Sequence, residues 1–416
     1  MSDPSPPTKS RLASLDAYRG FIMLVMASGG FAFAEVAKKH FPDSSYWNFL
    51  GYEFDHVPWT GCAFWDLIQP SFMFMVGVAI PFSHASRIAK GQSATRIAAH
   101  VIYRSVALIL LGIFLSSNGA SQTNFTFVNV LTQIGLGYAF VYLLLGRSFV
   151  FQLLILLAIL GGYWYLFFQQ PVQEVGSAIL TSTARDRELW FSGLFAHWNK
   201  NANFAAEFDQ WFLNLFPRQK PFYFNEGGYQ TLNFVPSIGT MILGLMAGEL
   251  LRSARKPMSK FFYLLGAGAL CLAVGLILDY TICPSVKRIW TPSWAIFSSG
   301  WVFWILAGFY LIIDVLGFRL WAFPLIVVGM NSIAIYCMSQ LLGSRRGWIS
   351  RTLSTHLDWG YQTLTAKTPA GSMWQTDFGP HLFGGIYGPI VQSVAVLLVL
   401  WLACYWMYRR GIFLRV

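Results

Sequence analysis

The chain has 416 residues, of which 55% are hydrophobic, 17% aromatic and only 11% charged. Soluble proteins average about 25% charged residues, so a soluble protein of this length would lack the charge to cover its surface. Disorder is excluded because the chain has ample apolar surface to bury. The net charge of +11 is spread over short loops, which argues against a nucleic-acid partner. The composition therefore predicts an integral membrane protein.

Ten apolar stretches are each long enough to cross about 30 Å of hydrocarbon as a helix. They cover residues 20–36, 63–83, 102–117, 126–145, 149–168, 233–251, 261–279, 294–314, 321–342 and 386–408. No internal repeat and no inverted pair of halves is visible. We expect an all-α, polytopic membrane helix bundle of about ten transmembrane helices, built as a single domain over residues 1–416.

Short loops rich in lysine and arginine alternate along the chain with longer, less basic segments. The basic regions are the N-terminal tail with Lys9 and Arg11, the loops 84–101 and 252–260, and the C-terminal tail with Arg409, Arg410 and Arg415. Basic short loops remain on the cytoplasmic side of a membrane. The pattern predicts that both termini are cytoplasmic and that the segments 169–232 and 343–385 lie outside.

The outer segment 169–232 is too long for a simple connection, and loops of this length are usually functional. Between residues 190 and 216 it interleaves tryptophan and phenylalanine with polar residues such as Asn203 and Asp209. One interpretation is a pair of amphipathic helices that lie on the membrane surface. The other is a lid that offers aromatic faces to a sugar-like ligand. Both interpretations predict a partly helical segment.

Polar side chains next to apolar spans are candidates for function, because they are costly at membrane depth. His56 precedes the second span, and Asp66 follows it by ten residues at the entrance of that span. Histidine titrates near neutral pH and serves as a general base, and a nearby carboxylate can orient its ring. The alternative is a histidine in an interfacial loop that is bonded to backbone.

Two further polar groups stand out. Because Arg19 lies three residues after Asp16, the two side chains face each other if the segment is helical. They either form an ion pair with each other, or Arg19 instead binds a phosphate. Asn331 and Ser332 lie within the ninth apolar stretch, where an amide either joins helices or lines a polar tunnel. The chain has no metal-binding motif, P-loop or GxSxG, and its five cysteines form no CxxC pair.

Several long motifs give the sequence a specific resemblance. They are RLASLDAYRG at 11–20, HVPWTG at 56–61, DLIQPSFMFMVG at 66–77, WTPSW at 290–294 and GMNSIAIY at 329–336. The sequence resembles the transmembrane acyltransferase family typified by heparan-alpha-glucosaminide N-acetyltransferase, in its bacterial form. The resemblance covers nearly the whole chain and is weakest in the middle of the two outer segments.

The resemblance implies an acetyl-CoA-dependent transmembrane N- or O-acetyltransferase of the bacterial inner membrane. It would move an acetyl group from cytosolic acetyl-CoA to an amino sugar or other glycan acceptor on the periplasmic side. The implied partners are acetyl-CoA, the glycan acceptor and membrane lipid, without nucleic acid or metal, and a homodimer stays open. The implied site residues are His56 and Asp66 for catalysis, Arg19, Arg104, Asn331 and Ser332 for acetyl-CoA, and Trp59, Asn203 and Asp209 for the acceptor.

Two departures concern the acceptor. A family asparagine falls at Gly30, and a histidine of the animal enzyme falls at Ser339. Both changes are expected near the acceptor side, so they weaken the case for heparan-type glucosamine as the acceptor. Direct transfer and an acetyl-histidine intermediate both remain open. The alternative function is a carrier for a sugar or lipid-linked metabolite, which would favour a charged site at the membrane midplane and paired halves.

Overall fold

The computed structural model describes residues 12–172, 190–343, 347–365 and 381–414. Lys9, Arg11 and Arg415, which contributed to the predicted orientation, lie outside these residues. The described part of the chain is α-helical, with two isolated β-bridges and no strand ladder. The predicted all-α fold class is therefore confirmed. The helices are α1 (Ala13–Ala27), α2 (Phe33–His40), α3 (Ser45–Glu53), α4 (Ile68–Ala89), α5 (Ala94–Ser116), α6 (Val130–Leu143), α7 (Phe149–Gln169), α8 (Phe204–Leu213), α9 (Phe234–Arg252), α10 (Pro257–Thr281), α11 (Pro292–Phe309), α12 (Phe323–Gly329), α13 (Ser332–Leu341), α14 (Trp348–Thr365) and α15 (Gly388–Arg409).

Among the described residues, seven helical segments are long and apolar enough to cross a membrane. Two pairs of consecutive helical segments supply further candidates. In the first pair, α1 and the segment Gly29–His40 meet at an angle of 40°, and in the second, Leu320–Gly329 and Ser332–Leu341 meet at 67°. Helix α6 is apolar but shorter. Each of the ten predicted stretches thus corresponds to a helix or a bent pair, and the chain is a multi-pass membrane protein.

The first span breaks at four successive residues with positive φ. Gly29 and Gly30 have φ of 59° and 69°, and Phe31 and Ala32 have φ of 50° and 61°. Glycine suits Gly30 because a β-carbon there would lie 2.7 Å from the carbonyl oxygen of Phe54. The break turns the chain into α2 and α3, which lead to the loop that carries His56.

Glycines bring the central helices close together. A β-carbon at Gly77 of α4 would lie 2.0 Å from the carbonyl oxygen of Met241, and one at Gly244 of α9 would lie 2.1 Å from that of Phe74. Small residues allow such backbone contacts in membranes, where dispersion replaces the hydrophobic effect between helices. This close packing fixes α4, whose N-terminal end follows Asp66.

The described part of the segment 169–232 is packed on the bundle. It contains a 3-10 turn at Gly193–Trp198 followed by α8. Trp198 is fully buried, and its ring lies parallel to that of Phe167 with centroids 6.3 Å apart. Several aromatic side chains of this segment therefore contribute to a second hydrophobic core. The interpretation as amphipathic helices on the membrane surface did not predict this core.

Candidate functional site

His56 lies in the loop between α3 and α4, with 37% of its side chain exposed. Its Nδ1 is 2.7 Å from Oδ1 of Asp66. Asp66 lies in the 3-10 turn Phe64–Leu67 and is 1% exposed. The backbone N–H groups of Val57 and Ala63 donate to its other oxygen, Oδ2, at 3.2 and 3.3 Å. The carboxylate therefore fixes both the fold of the loop and the orientation of the imidazole.

A buried lysine completes this arrangement. Lys287 is 4% exposed, and its Nζ donates to Oδ1 of Asp66 at 3.0 Å. The same Nζ lies 3.1 Å from Nδ1 of His56. Burial lowers the pKa of Lys287 from its usual value, and the Asp66 carboxylate opposes this effect because it favours the ammonium form. We call His56, Asp66 and Lys287 the triad.

The loop that carries Lys287 is fastened to the His56 loop by backbone contacts. Thr60 and Val286 form an isolated antiparallel bridge. Arg288 donates from Nη2 to the carbonyl oxygen of Val57 at 3.2 Å and from Nη1 to that of Gly227 at 2.6 Å. These contacts hold Nζ of Lys287 3.1 Å from Nδ1 of His56, although Lys287 is 221 residues from Asp66 in the chain.

Lys287 was not identified from the sequence. The available signal was its position next to Arg288, directly before the WTPSW motif and between two spans. A buried lysine and a buried carboxylate from distant loops pair because each would otherwise be an uncompensated charge.

The triad determines which imidazole nitrogen is free for chemistry. Nδ1 is occupied by Asp66, so Nε2 is the nitrogen that can accept a proton or form a bond. A cavity of about 350 Å³ is lined by Asp55, which precedes His56 in the chain, and by Trp65, Glu35 and Lys38. His56 itself is not among the described residues that line it, and we call it the cavity beside His56 because of its neighbours Asp55 and Trp65. The Trp65 ring lies 6.3 Å from the imidazole. The geometry suits a general base or nucleophile beside a polar, partly aromatic cavity.

The three predicted acceptor residues make hydrogen bonds inside the fold. Trp59 is 2% exposed and donates from Nε1 to the carbonyl oxygen of Trp198 at 3.1 Å. Asn203 is 1% exposed and caps α8 by accepting from the N–H of Ala206 at 3.1 Å. Within the described chain, none of Trp59, Asn203 and Asp209 is among the residues that line the cavity beside His56.

Asp209 is fully buried, and its Oδ2 accepts from the N–H of Thr231 at 2.9 Å. Burial raises its pKa to about 6, and the bond with Thr231 partly offsets this rise. The carboxylate thus ties α8 to the start of α9.

The four predicted acetyl-CoA residues lie in two regions. Arg19 is 3.7 Å from Asp16 on α1, and its side chain is 28% exposed. Asn331 is buried, donates to the carbonyl oxygen of Ile412 at 3.1 Å and accepts from the N–H of Leu414 at 3.1 Å. Its amide therefore binds the C-terminal tail, and Ser332 follows it as the first residue of α13.

Arg104 lies on another helix, α5. Its guanidinium carbon is 4.8 Å from the centre of the Tyr138 ring of α6. Its Nε is buried without a hydrogen-bond partner among the described residues. The structure places Arg19 and Arg104 on different helices and does not show them in contact.

The fold and the triad define a polytopic helical membrane protein whose partly exposed histidine is held by a buried carboxylate–lysine pair. No protein-family model matches the chain. Its sequence is similar to that of heparan-alpha-glucosaminide N-acetyltransferase of Homo sapiens, with 26% identity in an alignment of length 373 that covers 78% of this chain and 52% of the human protein. The Mus musculus protein of the same name is 25% identical in an alignment of length 395 that covers 82% of this chain and 56% of that protein.

The chain spans about half the length of the curated relatives it matches. The similarity confirms the resemblance to the heparan-alpha-glucosaminide N-acetyltransferase family that the motifs predicted.

Proposed function

We propose that this protein is a membrane-embedded acetyltransferase that moves an acetyl group from acetyl-CoA to an amine or hydroxyl of a sugar acceptor. The observation that carries the proposal is the 2.7 Å contact between His56 and the buried Asp66, with the imidazole still partly exposed. A carboxylate on Nδ1 directs Nε2 toward a substrate, as acyl transfer through a histidine requires. The similarity to two N-acetyltransferases supports the same reaction.

Two routes use the same Nε2. In direct transfer, Nε2 takes the proton from the acceptor as its nitrogen or oxygen bonds to the acetyl carbon, and the departing coenzyme A thiolate then receives that proton. In the two-step route, Nε2 bonds to the acetyl carbon while the thiolate leaves. The acceptor then displaces the imidazole, and its proton ends on the thiolate. Both routes need an unprotonated Nε2.

The donor would be held from the cytoplasmic side, with both termini on that side of a bacterial inner membrane. Arg19 and Arg104 would bind coenzyme A phosphates, because guanidinium groups pair well with phosphate. The Phe21 ring of α1 lies 6.2 Å from that of Phe64, two residues before Asp66. An extended ligand that lies along α1 would therefore approach the triad.

Asn331 and Ser332 would contact the thioester end of the donor. Because the Asn331 amide is bonded to the backbone of Ile412 and Leu414, this role would require movement of the C-terminal tail. The proposal thus makes donor binding and the position of that tail mutually dependent.

The acceptor would occupy the cavity beside His56, on the periplasmic side. Glu35 and Asp55 offer carboxylates for amino or hydroxyl groups, and Trp65 offers an aromatic face for a sugar ring. A second cavity of about 250 Å³ shares Gly29 with the first and is lined by uncharged residues, both apolar ones such as Met26 and polar ones such as Ser339. An amino sugar or a longer glycan fits this combination. Trp59, Asn203 and Asp209 would support the acceptor site through packing.

The test is acetyl transfer by the purified protein in liposomes, with radiolabelled acetyl-CoA and a panel of amino sugars and neutral glycans. We expect label in the acceptor and release of one coenzyme A thiol for each acetyl group transferred. Transport of an unmodified sugar without thiol release would instead identify a carrier. Arg19→Ala and Arg104→Ala should raise the acetyl-CoA concentration needed for half-maximal rate, whereas a change only in maximal rate would argue against their role in donor binding.

A further inference from the structure

Lys287 makes two contacts at the centre of the triad. Its Nζ is 3.0 Å from Oδ1 of Asp66 and 3.1 Å from Nδ1 of His56, and Nδ1 is itself 2.7 Å from the same oxygen. Two nitrogen atoms thus meet around one carboxylate oxygen. This geometry differs from a simple histidine–carboxylate pair, because the carboxylate already has a cationic partner.

The positions of the protons follow from these distances. The shortest contact joins Nδ1 to Oδ1, and two acceptors do not approach so closely, so Nδ1 carries a proton and donates to Asp66. With Lys287 charged, the triad then has one anion, one cation and a neutral imidazole. A second proton on His56 would place two cations 3.1 Å apart around a single carboxylate.

We propose that Lys287 is a positioning residue that keeps His56 neutral, with its proton on Nδ1 and a free electron pair on Nε2. A carboxylate alone favours the imidazolium form, and a neighbouring cation disfavours it. The lysine therefore cancels the effect of Asp66 on charge while Asp66 still orients the ring. The role of this neutral imidazole in acetyl transfer rests on the proposed function, but its protonation state does not.

The other charged groups near His56 come from the same loop and from α2 and α3. Asp55 accepts from the backbone N–H of His56 at 2.8 Å and pairs with Lys38 at 2.7 Å, so its charge is compensated. Glu53 accepts from the N–H of Phe64 at 2.7 Å.

From the facing loops, Arg288 donates to backbone carbonyl groups. Cys62 and Tyr52 remain uncharged near neutral pH, because burial raises the pKa of Cys62 to about 12 and also raises the pKa of Tyr52. Among the described residues, Lys287 is the cation within hydrogen-bond distance of the imidazole. The proposed effect on charge therefore belongs to this side chain.

The test measures the protonation of His56 without any acetyl transfer. Diethyl pyrocarbonate adds an ethoxycarbonyl group to an unprotonated imidazole nitrogen and releases ethanol and carbon dioxide. Its rate at His56, followed by peptide mass spectrometry across pH, gives the midpoint of imidazole protonation. His381 is an internal control, because its Nδ1 is 2.8 Å from Oδ2 of Asp358 and 3.0 Å from the uncharged amide nitrogen of Gln362.

Three variants separate charge from shape. Lys287→Met and Lys287→Gln both remove the charge, and Gln keeps a hydrogen-bond donor for Asp66, whereas Lys287→Arg keeps the charge. We expect the midpoint at His56 to rise by about 1–3 pH units in the Met and Gln variants. It should stay near the wild-type value in the Arg variant, and the midpoint at His381 should not move in any of them.

A midpoint at His56 that is the same in wild type, Lys287→Met and Lys287→Gln would overturn the proposal. If Lys287→Met does not fold, Lys287→Gln against Lys287→Arg decides the question alone. A wild-type protein that lacks acetyl transfer but shows the expected shift would contradict the proposed function and leave this inference standing. In an active protein, the acidic limb of the pH–rate profile should move by the same amount as the midpoint.

Discussion

Removal of one partner of the buried Asp66–Lys287 pair should be costly, because it leaves the other charge buried and uncompensated. Asp66→Asn keeps the shape of the side chain and one acceptor oxygen, so the backbone bonds from Val57 and Ala63 can persist. The change removes the charge at Oδ1, which serves both Lys287 and His56. Two charge-assisted bonds are worth about 1.5–3 kcal/mol each. Removing one partner of a buried pair costs about 3–5 kcal/mol, so we expect a loss of about that size.

A second ion pair in the same region provides the control. Asp55 and Lys38 are 2.7 Å apart, closer than Asp66 and Lys287, but their side chains are 43% and 73% exposed. Asp55→Asn should therefore cost only about 0–1 kcal/mol, because water screens an exposed pair. The double variant Asp66→Asn/Lys287→Met removes both buried charges and should be at least about 2 kcal/mol more stable than Asp66→Asn.

The assay is denaturant unfolding in detergent, followed by tryptophan fluorescence, with the free energy of unfolding compared at one pH. Equal losses of unfolding free energy in Asp66→Asn and Asp55→Asn would show that burial of the Asp66 charge does not set the size of the loss. A double variant less stable than Asp66→Asn would show that the loss does not come from an uncompensated charge on Lys287.

Further predictions concern other parts of the fold. The pKa of Asp209 is raised from 3.8 to about 6, so its stabilising contribution is complete below pH 4 and is lost as pH rises through about 6. The free energy of unfolding of Asp209→Asn should therefore equal that of wild type at pH 4 and exceed it by up to about 3 kcal/mol at pH 8. Denaturant unfolding of both proteins at the two pH values measures this, and the same difference between them at both pH values would contradict it. Gly244→Ala should lower the free energy of unfolding by about 1–3 kcal/mol, because the new β-carbon would collide with the carbonyl group of Phe74. A β-carbon at Gly161 would have nothing within 4 Å, so Gly161→Ala should leave that free energy unchanged or raise it by up to about 1 kcal/mol. Similar unfolding energies for the two glycine variants would show that α4 and α9 are not in close contact.

The sequence predicted the helical architecture well, because each span is encoded by a local run of apolar residues. It also indicated His56 and Asp66, which are only ten residues apart in one motif. Lys287 could not be found in this way, since its relation to Asp66 depends on a contact across 221 residues. Local patterns do not specify which distant loops meet.

The roles of amide and carboxylate side chains were also difficult to predict. Asn203 and Asp209 are polar residues in an aromatic segment, a pattern that suits both ligand binding and internal hydrogen bonds. The structure shows caps and backbone bonds for these side chains, and such bonds depend on where the chain turns. The same holds for Asn331, whose amide binds the C-terminal tail.

A comparison of His56→Ala with His381→Ala shows whether His56 performs the acetyl transfer. Both histidines have Nδ1 close to an aspartate, at 2.7 Å for His56 and 2.8 Å for His381, and both are partly exposed. In liposomes supplied with radiolabelled acetyl-CoA and the best acceptor, His56→Ala should lose at least about 100-fold in rate, the lower end of what a general base contributes. Acetyl-CoA should still raise the melting temperature of the His56→Ala protein. The His381→Ala protein should transfer acetyl groups at the wild-type rate. A His56→Ala protein with near wild-type turnover would contradict the account.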